Sequence, residues 1–132
     1  MAITAAQTIQ YPAVASVSFT YADLTSGTVE DLCQVPAGAV VIGGEIIVDT
    51  AWDSGTSDTL DIGDGDDDDR YTSTIINLQT ATRTALTLTG YKYTETDTID
   101  GTPTSAGTAA TAGAARINIM YVVEDRGHEV QG

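Results

Sequence analysis

The chain has 132 residues and a formal net charge of −14 at pH 7, with 19 acidic side chains against five basic ones. That length suits one domain with one core, and a surface of that sign repels phosphate backbones, which weighs against direct nucleic-acid binding. Only 18% of residues are charged, so the polar surface must come from Thr, Ser, Asn, Gln and Gly, a mix that favours strands and turns over helices.

Residues 1–12, MAITAAQTIQYP, are small, polar and closed by a proline, and read as an extended N-terminal arm over 1–13. Termini of this kind stay mobile unless a partner ties them down. A single domain is expected over 14–125, with a flexible tail over 126–132. Across residues 14–21 the period-two pattern puts Val17, Phe19 and Tyr21 on one face of a strand. A turn over 23–28 leads to a short second strand over 29–35. Pro36-Ala37-Gly38 then punctuates the chain. The most apolar run, AVVIGGEIIVDT at 39–50, reads as one strand bent at Gly43-Gly44 or as two strands joined there. Trp52 and the turn 53–57 follow, and 58–62 alternates again with Leu60 and Ile62 inward. The turn has the length and chemistry of a hairpin. Residues 71–85 pit a possible short helical face (Ile75, Ile76, Leu78, Thr82) against a high Thr content. Strands are expected at 86–88 and 92–99, and a low-complexity loop without core residues at 100–114. Residues 115–123 give a last strand with Ile117, Ile119, Tyr121 and Val123 alternating. Seven or eight short strands separated by turn signals predict an all-β fold, an antiparallel β-sandwich of jelly-roll-like type.

Residues 61–71, DIGDGDDDDRY, carry six acidic side chains. Read as an EF-hand loop from Asp64, the stretch matches at Asp66 and Asp68. It fails at the sixth position, where Asp69 replaces the required Gly, and at the twelfth, where Ile75 replaces the bidentate Glu. Asp64, Asp66 and Asp68 are therefore the candidate ligands of a non-EF calcium site, against the plainer reading of a solvated turn. No cofactor is expected. Catalysis finds little support. The single histidine, His128, lies near the C-terminus in a segment expected to fray, and a general base must be held within hydrogen-bond reach of its target. Cys33 is the one cysteine, with no cationic neighbour in sequence, and reads as a small buried hydrophobe. Zinc clusters, phosphate loops and nucleophile elbows are missing from the sequence, so no enzyme is expected. Trp52, Tyr91, Tyr93 and Tyr121 could line a sugar-binding face, although aromatics in alternating strands are more often core. The N-terminus lacks the basic start and apolar run of a secretory signal, and nothing reaches the ~20 apolar residues of a membrane helix. Synthesis in a cytoplasm, with no membrane partner, is the expectation.

Residues 35–71, VPAGAVVIGGEIIVDTAWDSGTSDTLDIGDGDDDDRY, resemble a pattern in the capsid decoration (cement) and head structural proteins of tailed bacteriophages. The order is a PAGAVV opening, a strand, a T-x-W-x-S-G-T-S-D turn, and an I-G-D…D-R-Y segment. Its most specific pieces are Ser54-Gly55-Thr56-Ser57-Asp58 and Asp69-Arg70-Tyr71; the long Asp run between them departs from a minimal version. The resemblance implies a protein made in the host cytoplasm and placed on the virion exterior. There it would bridge neighbouring major capsid protein subunits as a homodimer or homotrimer. Ile3, Thr4, Gln7, Ile9 and Tyr11 would then form a capsid-binding arm. A head-fibre, tail or carbohydrate-binding module is the alternative.

Overall fold

The computed structural model describes residues 3, 5, 8–124, 130 and 131. Ten strands run in chain order: β1 Thr8–Ile9, β2 Ala13–Thr20, β3 Glu30–Val35, β4 Ala39–Thr50, β5 Ser57–Gly63, β6 Ile76–Asn77, β7 Arg83–Ala85, β8 Asp97–Ala106, β9 Ala114–Val123 and β10 Val130–Gln131. A 3-10 turn, Tyr21–Asp23, follows β2. Eight strands form two antiparallel sheets, ordered β2-β9-β4-β7 and β3-β8-β5-β6, and β1 pairs with β10 apart from them. The pairs β2·β9, β3·β8, β4·β7 and β5·β6 nest one inside the next. Every connection from β2 to β9, except that from β5 to β6, carries the chain from one sheet to the other. Nested antiparallel pairs wound across two sheets give the jelly-roll arrangement, and the all-β sandwich expected from strand periodicity is present.

Alternation sets the core. In β2 Ala13, Ala15, Val17 and Phe19 turn inward while Val14, Ser16, Ser18 and Thr20 are exposed. Tyr21, expected to continue that face, instead opens the 3-10 turn and is exposed. Ile46, Ile62, Ile99, Ile117 and Ile119 are fully buried between the sheets; burying each such side chain contributes about 1.5–3 kcal/mol. Phe19 and Trp52 tilt against each other at 6.0 Å between ring centroids. Gly113 lies so close to Trp52 that a Cβ there would stand 2.4 Å from the indole.

Several expected elements differ, each for a local reason. Of the two readings of run 39–50 the single strand holds: it is β4, with register shifts against β9 between Val41 and Gly43 and between Val48 and Thr50. Turn 53–57 does not close a hairpin, because β4 and β5 lie in opposite sheets. The chain dives across the sandwich there, with Trp52 and Ser54 buried and the Trp52 N–H donating to Leu78 O. Residues 71–85 hold no helix; the short strands β6 and β7 lie within them. Residues 86–88 are not a strand. Leu86 is buried against Gly44, at φ +156°, where a Cβ would stand 2.6 Å from the leucine. The strand expected over 92–99 begins only at Asp97; Lys92 makes one isolated bridge to Val40.

The largest correction concerns 100–114. Half of that presumed loop is β8, which sits between β3 and β5. Its small residues reflect crowding: a Cβ on Gly101 would lie 3.3 Å from Leu60 and 3.4 Å from Leu32, whose side chains fill the space.

Candidate functional site

Two buried polar hubs sit at the ends of β5. At the start of the strand, Asp58 is fully buried. It accepts hydrogen bonds from the Ser54 N–H (3.0 Å) and hydroxyl (2.7 Å), from Gln79 Nε2 (2.9 Å) and from the Ser105 hydroxyl (2.8 Å). Burial pushes the Asp58 carboxyl up, but these donors outweigh it and hold the group below the ordinary carboxylate range. The strand ends at Gly63, where a Cβ would fall 2.1 Å from Asp67 O. Only glycine therefore lets the acidic segment fold back over the strand end.

The second hub is Asp64, 4% exposed. Its Oδ1 accepts from the N–H groups of Asp66 (3.1 Å) and Asp67 (3.0 Å) and from Arg70 Nη2 (3.2 Å). Oδ2 accepts from Arg70 Nε (2.6 Å) and the Tyr93 hydroxyl (2.8 Å). The Tyr93 proton is committed to Asp64, so Tyr71, 2.8 Å away, donates to Tyr93 in turn. Arg70 also lies 3.6 Å over the Tyr91 ring, and Tyr91 packs edge-on to Tyr93. Burial raises the Asp64 carboxyl and the bonds from Arg70 and Tyr93 lower it further than burial raises it. Burial, then the bonds to Tyr71 and Asp64, push the Tyr93 phenol up.

These contacts decide how the acidic stretch can act. A carboxylate offers about four lone-pair sites, and those of Asp64 are taken by protein donors. Asp64 is thus the anchor of its turn and does not face water. Oxygens of Asp64, Asp66 and Asp97 come within 4.8 Å of one another, whereas Asp68 groups with Asp67 and Asp69. The three candidate ligands therefore divide between two clusters. In the second cluster, a hydrogen bond shared with Asp67 and the charges of its neighbours push the Asp69 carboxyl up.

A third acidic contact was not foreseen. Asp31 and Asp100 are cross-strand partners on β3 and β8. Asp100 Oδ1 is buried without a hydrogen-bond partner among the described residues. Burial, and the Asp31 and Asp97 charges, push the Asp100 carboxyl up against a lowering bond with Thr98. A carboxyl raised in the fold favours folding when protonated and loses that contribution as pH rises through its folded value. Asp100→Asn should therefore raise the melting temperature at pH 7, by about 0.5 kcal/mol of stability for a half-exposed charge contact. The gain should vanish near pH 3, which calorimetry at both pH values will show.

The remaining candidates are placed as follows. Trp52 and Tyr93 are buried and Tyr91 and Tyr121 half-buried, so the four aromatics form no sugar platform. Cys33 is half-buried, and burial pushes its thiol up, away from reactivity. Of the arm residues, Ile3, Ile9 and Tyr11 are exposed, Ile3 at 99%; Thr4 and Gln7, like His128, lie outside the described residues. Thr8 and Ile9 pair with Gln131 and Val130. Among the described residues, no helix is long and apolar enough to cross a membrane.

No protein-family model and no curated protein matches the chain. Solved structures do. A chain in the capsid asymmetric unit of cyanophage Pam1 superposes with a TM-score of 0.64 at 23% identity, covering 92% of this chain and 91% of that one. A chain in the acidic stable capsid structure of Helicobacter pylori bacteriophage KHP30 gives 0.65 at 12% identity, covering 86% and 88%. One in the capsid of Ralstonia phage GP4 gives 0.54 at 15% identity, covering 86% of each. The resemblance carried by residues 35–71 and the three-dimensional likeness converge: this chain has, nearly end to end, the fold of chains found in the capsids of three bacteriophages.

Proposed function

We propose that the chain is a structural protein of a bacteriophage head, a decoration protein that binds the outside of the major capsid protein shell and bridges neighbouring subunits. The observation that carries this reading is the near full-length likeness to chains in three phage capsid structures. The polar hubs agree with it. Asp58 and Asp64 spend their acceptor capacity on holding the sandwich together, which suits a scaffold and leaves neither of these two carboxylates free to act as a base. Packaged DNA presses a shell outward, and bridging contacts oppose the separation of its subunits. A homodimer or homotrimer engaging equivalent shell sites gains effective concentration from multivalency. Ile3, Thr4, Gln7, Ile9 and Tyr11 form the arm that adds to this contact, by laying an extended strand against the shell.

Quantitative mass spectrometry of purified virions tests the role. Decoration requires on the order of hundreds of copies, following the symmetry of the shell; about a dozen or fewer would place the protein at the portal or tail instead. Removing residues 1–7, which leaves the Gln10 clamp on the Val123 backbone intact, should lower particle occupancy at least about ten-fold with little change in melting temperature. Unchanged occupancy would remove the arm from the mechanism.

A further inference from the structure

A sandwich of two four-stranded sheets has four edges, and three of these are protected. β6 and β7 are two and three residues long. β3 carries Glu30 and Asp31 and is broken in register between Asp31 and Cys33. Short strands, charges and bulges are the usual defences of an edge against further pairing. β2 has none of them. Its eight residues, AVASVSFT, include no charge and no proline, and pair with β9 in unbroken register.

The phase of that ladder says which backbone groups remain. Tyr21 N–H donates to Gly113 O, in line with the β2·β9 register. In an antiparallel ladder alternate residues bond the partner strand, so Val17 and Phe19 point their backbone groups at β9. Those of Val14, Ser16, Ser18 and Thr20 point to the open side. The Thr20 N–H is taken by Asp23 Oδ2 at 2.8 Å, which confirms the phase. Among the described residues, Val14, Ser16 and Ser18 are left with outward N–H and C=O groups.

Beside this edge, between β2 and the neighbouring edge strand β3, lies a groove of about 200 Å³. Val17, Phe19, Leu24 and Leu32 give it an apolar floor, and Asp23, Glu30 and Asp31 stand on its rim. Val17, Leu24 and Leu32 are core residues left half-buried there.

We propose that β2 is a docking edge, on which an extended segment of the capsid shell subunit adds as a fifth strand, its apolar side chains entering the groove and its Lys or Arg side chains meeting the acidic rim. The identity of the partner rests on the head-protein reading above. Charge complementarity selects the occupant. A second copy would bring its own Asp23, Glu30 and Asp31 to the same junction. The arm of a second copy has no Lys or Arg side chain to offer either, since residues 1–69 contain none. A basic strand satisfies backbone, groove and rim together.

The test uses the full-length protein and particles purified from a phage lacking its gene. Ser16→Pro removes an outward N–H while leaving the β9 ladder intact. Glu30→Lys with Asp31→Lys reverses the rim at exposed or half-buried positions and serves should the proline variant fail to fold. The wild type should bind, with an affinity that falls as salt rises. Each folded variant should lose at least about ten-fold in affinity, and the charge-reversed one should lose its salt dependence. Wild-type binding with both variants unimpaired would overturn the edge and leave the head-protein reading standing. No wild-type binding would overturn that reading, and the partner named here with it. If Ser16→Pro instead turns a soluble oligomer into a monomer by light scattering, β2 pairs with a second copy and the capsid strand is wrong.

Discussion

Asp64→Asn should destabilise the protein by about 3–5 kcal/mol, the cost of leaving one member of a buried ion pair without its partner. Chemical denaturation will measure it, and the melting temperature should fall by about 10 °C or more. Arg70 is 12% exposed at the side chain and would keep its charge with no carboxylate to receive Nε and Nη2. The loss extends beyond the pair. Asn puts an NH2 either at the Oδ1 position, which accepts from two backbone N–H groups, or at Oδ2, which accepts from the tyrosine hydroxyl, so either the turn or the Tyr71–Tyr93 relay loosens as well. Arg70→Met combined with Asp64→Asn should recover part of the loss, and the cycle isolates the coupling. The pH dependence follows from the lowered carboxyl. Its contribution is present above the unfolded value of about 4 and is lost as pH falls through the folded one. The variant should therefore lack that part of the wild type's acid sensitivity. A loss under about 1 kcal/mol would mean that the turn holds without its anchor.

The second large effect is expected at Asp58→Ala, at about 3 kcal/mol by the same measurement, from unpaired buried donors at about 1–3 kcal/mol each after partial relaxation. Ser54, Gln79 and Ser105 come from the β4–β5 crossing, the segment after β6 and the end of β8. One carboxylate thus adds a polar tie among three stretches that also meet through the Trp52 N–H to Leu78 O bond and the β5·β8 ladder. Asp58→Asn keeps the shape but replaces one acceptor by a donor, so it should cost less than Ala, and Ser54→Ala less again. Equal losses for all three variants would assign the effect to packing.

These two hubs explain what could be read before the fold was known. Ser54 to Asp58 and Asp69 to Tyr71 stood out as the most specific pieces of the phage-like pattern, and Ser54, Asp58, Arg70 and Tyr71 from them prove to belong to the buried polar clusters. Their partners were out of reach, because Gln79, Ser105 and Tyr93 meet them only through tertiary winding. Strand periodicity marked β2, β5 and β9, and β-branched content marked β4. It missed β8 beyond Ile99, where Gly101 is buried without bulk because Leu60 and Leu32 occupy the room. It also misjudged the turn at 53–57, since a hairpin and a sheet-to-sheet crossing use the same residues. The open edge at β2 left a trace in its uncharged composition, but which of its amides face outward depends on the register with β9.

The nested pairing of the strands also governs how the chain reaches its fold. β5 and β6 can meet after a short loop closure, but β2 waits for β9, so that Ala13 joins Tyr121 only when nearly the whole sandwich is in hand. Contacts of such long sequence separation exact their entropy before they return any stability, and they place the protein among slow folders, on the order of milliseconds to seconds. During synthesis the uncharged β2 emerges first among the sandwich strands and remains without its partner longest. A net charge of −14 on the finished chain makes full-length copies repel one another while that strand still waits for β9.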